Sequence, residues 1–383
     1  MLFNQKKSIV VMFIAQLCMT LLLVSGQGHT SVTADFFTTK HLVADQSLPN
    51  RHTAIQDGFA DILVKLAGQD SILQRPELAP LLQNPRQFVE KFTYSELLNL
   101  DQSQTLLTLQ FTGDTIERLF FKYKLPLWSK DRPNIMVWLG VDARQGRHIL
   151  AKGQTSTYQD FSQKLRDAAA TRGLSIQLPL LDSQDQETIT ATDVWSLDMT
   201  SVVNASRRYG AQILLLGKVT QSPSGEWFTQ WGLEYEGRAS WNEDRAQSFE
   251  LIAANVMAQV AEQLAGIYAV EVGHESTHAL TLEIQGVDSL RDYADISTIL
   301  NSLLPVSHLA VRRAQPGVLI YDVTVEGGER QLMSSLRLQP LLRSMPNTQT
   351  FSTQTDAQLT EQAAEATTTV LKYRWLGRDN RSK

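Results

Sequence analysis

The chain has 383 residues, 43% apolar and 20% charged, with a formal net charge of −5. That length suits two or three domains, and the composition is ordinary for a globular protein able to bury several cores. Net acidity argues against a nucleic-acid partner, because such binding rests on clustered Lys and Arg neutralising phosphate.

Lys6 and Lys7 precede the apolar run Ile9–Val24, broken only by Gln16 and Thr20, and small residues follow. This is the layout of a signal peptide over residues 1–34, cut near 26–34, which places the mature protein in the periplasm. As a helix the run spans roughly 24 Å against the ~30 Å of a hydrocarbon core, so an uncleaved inner-membrane anchor is the alternative. Cys18, the only cysteine, lies inside the run behind Leu17, a poor setting for acylation. The mature chain then has no thiol and no disulfide.

The first module, residues 35–128, reads as an α+β unit. Phe36–Ala44 suits a strand. Arg51–Ala67 is an amphipathic helix stopped by Gly68, and Pro76–Leu82 is a short second helix. Phe88–Leu98 and Thr105–Phe111 make a hairpin, and a further helix runs from Gly113 to Tyr123.

After the proline-broken stretch Ser129–Pro133, residues 134–270 read as a central α/β domain with a mixed sheet and helices on both faces. Ile135–Val141 and Leu174–Leu181 are strands flanking a helix that Thr157 can cap and Gly173 stops. Trp195–Tyr209 is helical. Ile213–Gly217 is apolar enough for a strand covered on both faces. Trp227, Thr229, Trp231, Leu233 and Tyr235 alternate onto one side of a strand, and Phe249–Tyr268 is a long helix able to cover them. Aromatics so placed also suit sugar stacking, with Trp227 the exposed candidate for a glycan-binding module.

Residues 279–345 with 370–376 repeat the β-α-β-β-α order of the first module. Ala279–Ile284 is a strand and Leu290–Leu303 a helix with Leu290 inward. Val306–Arg313 and Val318–Val325 pair as a hairpin. A helix runs from Gly328 through Leu338, and Val370–Trp375 is the last strand. Residues 346–369, rich in Thr, Gln and Ala, read as a disordered insertion. Lys372, Arg374, Arg378, Arg381 and Lys383 make the end basic, as a solvated tail or a contact for a membrane surface.

One motif points to chemistry. His274-Glu275-Ser276-Thr277-His278 is a literal H-E-x-x-H, which on a helix sets two imidazoles on one zinc with the Glu as general base. Its surroundings are strand-like. On an extended backbone the histidines stand ~13 Å apart, too far to share a metal that each must approach to ~2 Å. No metal, cofactor or catalytic residue is therefore assigned, and a zinc-dependent envelope hydrolase using His274, Glu275 and His278 is the alternative. The acidic run Asp182, Asp185, Glu187 and Asp193 lacks calcium-loop spacing and reads as a solvated connection, with Asp193 capping a helix and Trp195 packed in the core.

The Leu-Ala-Gly ending of Arg51–Gly68, Leu125-Pro126-Leu127-Trp128, Val137-Trp138-Leu139, Leu178–Asp182, Asp193-Val194-Trp195 and Arg208-Tyr209-Gly210-Ala211 resemble one family. It is the Gram-negative proteobacterial envelope family filed as domain of unknown function 2066. The resemblance implies an envelope location and brings no established activity. The expectation is a non-catalytic, exported adaptor or accessory factor of envelope assembly, acting through a protein partner, with glycan or membrane contact as secondary possibilities.

Overall fold

The computed structural model describes residues 36–99, 102–144, 146–153, 157–273, 277–346 and 370–377. The expected signal peptide with Cys18, residues 347–369 of the expected insertion, and Arg378, Arg381 and Lys383 lie outside the described residues. The described residues form mixed parallel and antiparallel sheets flanked by helices, an α+β and α/β fold.

The N-terminal sheet has the antiparallel order β1-β3-β2, from β1 (Thr38–Val43), β2 (Val89–Asn99) and β3 (Gln102–Phe111). Between β1 and β2 run α1 (Leu48–Ala67) and the short α2 (Ala79–Gln83), and α3 (Gly113–Lys122) follows β3. Pro49 sits in the first turn of α1, where its missing N–H costs nothing. Gly68 ends the helix at φ 74°, a left-handed position that glycine takes without a Cβ clash, and its N–H reaches the Val64 carbonyl. The apolar stripe of α1, with Phe59, Ile62 and Leu66, packs with Leu107, Leu109 and Phe111 of β3. Phe59 and Phe88 stack with centroids 4.7 Å apart.

Two strands tie this layer to the rest. β4 (Pro126–Leu127) pairs antiparallel with β11 (Val270–Glu271), and Val270 and Val272 are buried in the N-terminal core. Residues past the long central helix thus serve a core whose other members come early in the chain.

The central sheet runs β10-β9-β8-β5-β6, with β7 also on β5. Its strands are β5 (Asn134–Ala143), β6 (Gly146–Ile149), β7 (Ser175–Gln177), β8 (Ile213–Gln221), β9 (Trp227–Tyr235) and β10 (Arg238–Ala246). β5 pairs parallel with β7 and β8; the other pairs are antiparallel. One face carries α4 (Thr157–Thr171) and α8 (Phe249–Tyr268), which close over Trp227, Trp231 and Leu233. Phe161, Trp227 and Phe249 meet edge to face with centroids 4.7 to 5.6 Å apart. The opposite face carries α5 (Ser183–Thr188), α6 (Ala191–Trp195) and α7 (Met199–Ser206) over β5 and β8, with Trp138 donating to Ser206 Oγ at 2.9 Å.

The helix expected over Trp195–Tyr209 is broken. Leu197 takes φ 61°, and Asp198 starts α7 afresh by accepting from the Thr200 and Ser201 amides. A residue that can cap has won over helical continuity. At α6 the cap is Thr190, with Asp193 in the third position of a capping box. Val194 is the core residue there, and Trp195 is only half-buried.

The C-terminal sheet has the order β13-β14-β12-β16-β15. It is built from β12 (Thr277–Val287), β13 (Val306–Gln315), β14 (Gly317–Glu326), β15 (Leu342–Ser344) and β16 (Val370–Trp375), with helices α9 (Leu290–Ser302) and α10 (Glu329–Arg337). Its β12-β14-β13 part repeats the β1-β3-β2 topology, down to a helix after the first strand. Leu290, expected inward, is instead 82% exposed at the first helical position, because Ser289 and Asp292 fold a capping box beside it. Trp375 donates to Asp292 at 2.8 Å and fastens the last strand to α9.

Candidate functional site

His274 and Glu275 lie outside the described residues. His278 is on β12 opposite Val325, so this end of the H-E-x-x-H is strand rather than helix. Among the described residues no group of three or more His, Cys, Asp or Glu side chains is placed to hold a metal. Trp227 and Trp231 are buried under α4 and α8, which removes the exposed role considered for Trp227. Lys372 and Arg374 of the basic end are on β16, inside a sheet rather than on a tail.

The acidic connection is corrected as well. Asp185 is fully buried, accepting from Tyr209 Oη at 2.5 Å, the Leu181 amide at 2.9 Å and Arg208 Nη1 at 3.0 Å. Arg208 also grips Asp182 with both terminal nitrogens, at 2.6 and 2.8 Å. The Arg208 bond and the Asp185 amide hold the Asp182 carboxyl down to about 2, while burial and the Asp185 bond push the Tyr209 phenol up to about 12. Each member is spent on another member of the network, which makes it a clasp between the loop before β8 and α5.

A groove of about 620 Å³ lies between the β9–β10 turn and helix α10. The β9–β10 turn forms one wall. Glu236 (φ 53°) and Gly237 (φ 78°) are its two central residues, the positive-φ pair a tight hairpin needs, and Glu234 steadies it by accepting from the Gly237 amide at 2.6 Å. Helix α10 forms the other wall with Glu329, Arg330 and Arg337, and Ile267 and Met333 supply apolar surface.

The walls are bound to each other. Arg337 is ion-paired with Glu236 and donates to Tyr235 Oη at 3.3 Å, and the Tyr235 and Ser334 hydroxyls are 3.4 Å apart. Behind them Tyr235 meets Tyr268 edge to face at 6.2 Å, and Tyr268 stacks on Trp128 at 6.1 Å. Burial pushes the Tyr268 phenol up, and Tyr235 adds to the shift. Arg238 and Arg330 have no ion-pair or hydrogen-bond partner among the described residues. Two free guanidinium forks beside an apolar strip can take carboxylates carried by a partly apolar segment. Sequence reasoning missed this site because its walls lie about a hundred residues apart.

Residues 31–129 match the family described as Domain of unknown function (DUF8605), less than half of the chain. This corrects the resemblance drawn from the Leu-Ala-Gly and Arg-Tyr-Gly-Ala motifs: the matching family is a different one, and nothing supports membership of the 2066 family. No curated protein matches the chain. Among solved structures, the competence damage-inducible protein A (ComA) from Klebsiella pneumoniae subsp. pneumoniae is 13% identical over 40% of this chain and 92% of that one, with a TM-score of 0.21. A competence-damaged protein (CinA) superfamily protein from Escherichia coli is 13% identical over 39% and 84%, also with a TM-score of 0.21. Likenesses this slight carry no argument about this chain.

Proposed function

We propose that the chain is an exported, non-catalytic protein of the cell envelope that works as an adaptor or accessory factor by holding a protein partner. The observation that carries this reading is the groove beside α10, which Ile267 and Met333 line together with Arg238 and Arg330, both unpartnered among the described residues. Its two walls, a hairpin turn and helix α10, are fastened by the Arg337–Glu236 pair, so the shape is held ready before a partner arrives. The partner is an acidic protein segment with an apolar side chain among its carboxylates. Export rests on Lys6, Lys7 and Ile9–Val24. No helix among the described residues is long and apolar enough to cross a membrane.

Crosslinking in intact cells tests the binding role, comparing the natural chain with an Arg238→Glu/Arg330→Glu variant. A discrete adduct lost in the variant, with thermal unfolding unchanged, supports the reading. An adduct pattern identical in the two chains refutes it. Fractionation and N-terminal sequencing test export, with a mature end between residues 26 and 35 expected.

A further inference from the structure

The central sheet has a second open surface, on the side away from α8. Across β5, β8, β9 and β10 the register sets Trp138, Leu216, Gly232 and Trp241 in one row. Gly140, Lys218, Gln230 and Glu243 form the next. Helices α5 to α7 bury Trp138 and Leu216, at the β5 and β8 end of the first row. The β9 and β10 end is bare: Trp241 is 48% exposed and Glu243 is exposed, with Gln230 half-buried between strands.

Gly232 accounts for the pose of Trp241. A Cβ there would stand 2.7 Å from Cε3 and Cζ3 of the indole, so the ring lies on the bare backbone of β9 and turns its far side to water. Beside it Gln230 donates to Glu243 at 2.7 Å, Lys218 donates to the Trp195 carbonyl at 3.3 Å, and the Arg245 guanidinium covers Phe228 at 5.3 Å. Lys218 is engaged by the Trp195 carbonyl and Arg245 by the Phe228 ring, so neither cation is left to select an anionic ligand, and Glu243 opposes one. What remains is a flat indole bordered by donors and acceptors in adjacent positions. A pyranose presents the complement, with a C–H face for the ring and a rim of hydroxyls that both donate and accept.

We propose that this half-face of the sheet binds a saccharide, with Trp241 as the stacking platform and Gln230 and Glu243 holding hydroxyls. The ligand class is a neutral pyranose with equatorial hydroxyls, as in β-linked glucose or N-acetylglucosamine chains. The site shares no residue with the groove beside α10 and stands or falls independently of it.

Titration calorimetry of the full chain with cellotetraose and with chitotetraose tests this. Saturable binding of at least one, weakened about tenfold by Trp241→Ala, is expected. Arg238→Glu/Arg330→Glu should leave it unchanged. The natural chain offers a second measurement: the bound oligosaccharide should protect Trp241 from N-bromosuccinimide oxidation, read by peptide mass spectrometry. No binding of either oligosaccharide at millimolar concentration overturns the proposal. So does binding without protection of Trp241, or an affinity indifferent to Trp241→Ala in a folded variant.

Discussion

Gly68 and Ala265 are packed so closely that no side chain fits at residue 68: a Cβ there would stand 2.5 Å from the Ala265 Cβ and 2.9 Å from the Trp128 ring. The end of α1 is thereby set directly against α8, across the boundary between the first two cores. Gly68→Ala should cost roughly 2 to 4 kcal/mol, about 1 from the left-handed backbone and the remainder from overpacking. Denaturant unfolding reads this, and a loss below about 0.5 kcal/mol would show that the two helices can part freely.

Arg132 is the second fastener at that boundary. Its Nη2 donates to the Lys65 carbonyl at 2.8 Å, and its guanidinium lies 3.5 Å from the Trp128 ring centroid. Nε and Nη1 are buried with no hydrogen-bond partner among the described residues, and burial pushes the group well below its ordinary range. The bonds and the ring contact therefore work against an uncompensated desolvation. Arg132→Met, which keeps the packing and removes the charge, should stay within about 1 kcal/mol of the natural chain. Arg132→Ala should lose about 2 to 4 kcal/mol through the void it leaves. Equal losses in the two variants would mean that the charge matters more than the volume.

The Asp185 clasp is more demanding, since its carboxylate is buried and all its partners are protein groups. Asp185→Asn should cost about 3 to 5 kcal/mol, because the charge facing Arg208 is lost and an amide nitrogen, which cannot accept, replaces one of the two oxygens that Arg208, Tyr209 and the Leu181 amide use. Tyr209→Phe removes one bond and should cost about 1 to 2 kcal/mol. Urea midpoints for the two variants test the order.

The same clasp gives stability a pH profile. Asp182, held down from 3.8 to about 2, contributes stability that is intact above about pH 4 and is lost as pH falls through about 2. Tyr209, pushed from 10.0 up to about 12, contributes stability that is present below pH 10 and is lost as pH rises through about 12. Unfolding midpoints across pH should fall at both ends. Asp182→Asn should flatten the acid limb and Tyr209→Phe the alkaline one.

Periodicity made α1, α8 and the strands β8, β9, β12 and β14 legible from the chain alone, because each hides one stripe or one alternation. It failed at residues 195–209, where Asp198 supplies a cap inside an otherwise helical run. It also failed at Asp185, whose burial depends on Arg208 and Tyr209 more than twenty residues away. The two open surfaces could not be read for the same reason. Arg238 and Arg330 line one groove only once the β9–β10 turn and α10 meet, and Trp241 is notable only because a glycine stands opposite it.

β16 is an interior strand, parallel to β12 on one side and antiparallel to β15 on the other. Leu371, Tyr373 and Trp375 fill the core from it, so the piece that completes this module is short and self-contained. Two polypeptides divided between Pro346 and Val370 should consequently reassemble into one fold, with the smaller fragment acting as a complementing peptide. A chain denied that peptide would carry a vacant, strand-shaped slot beside β12, open to any extended segment bearing large side chains at every second position.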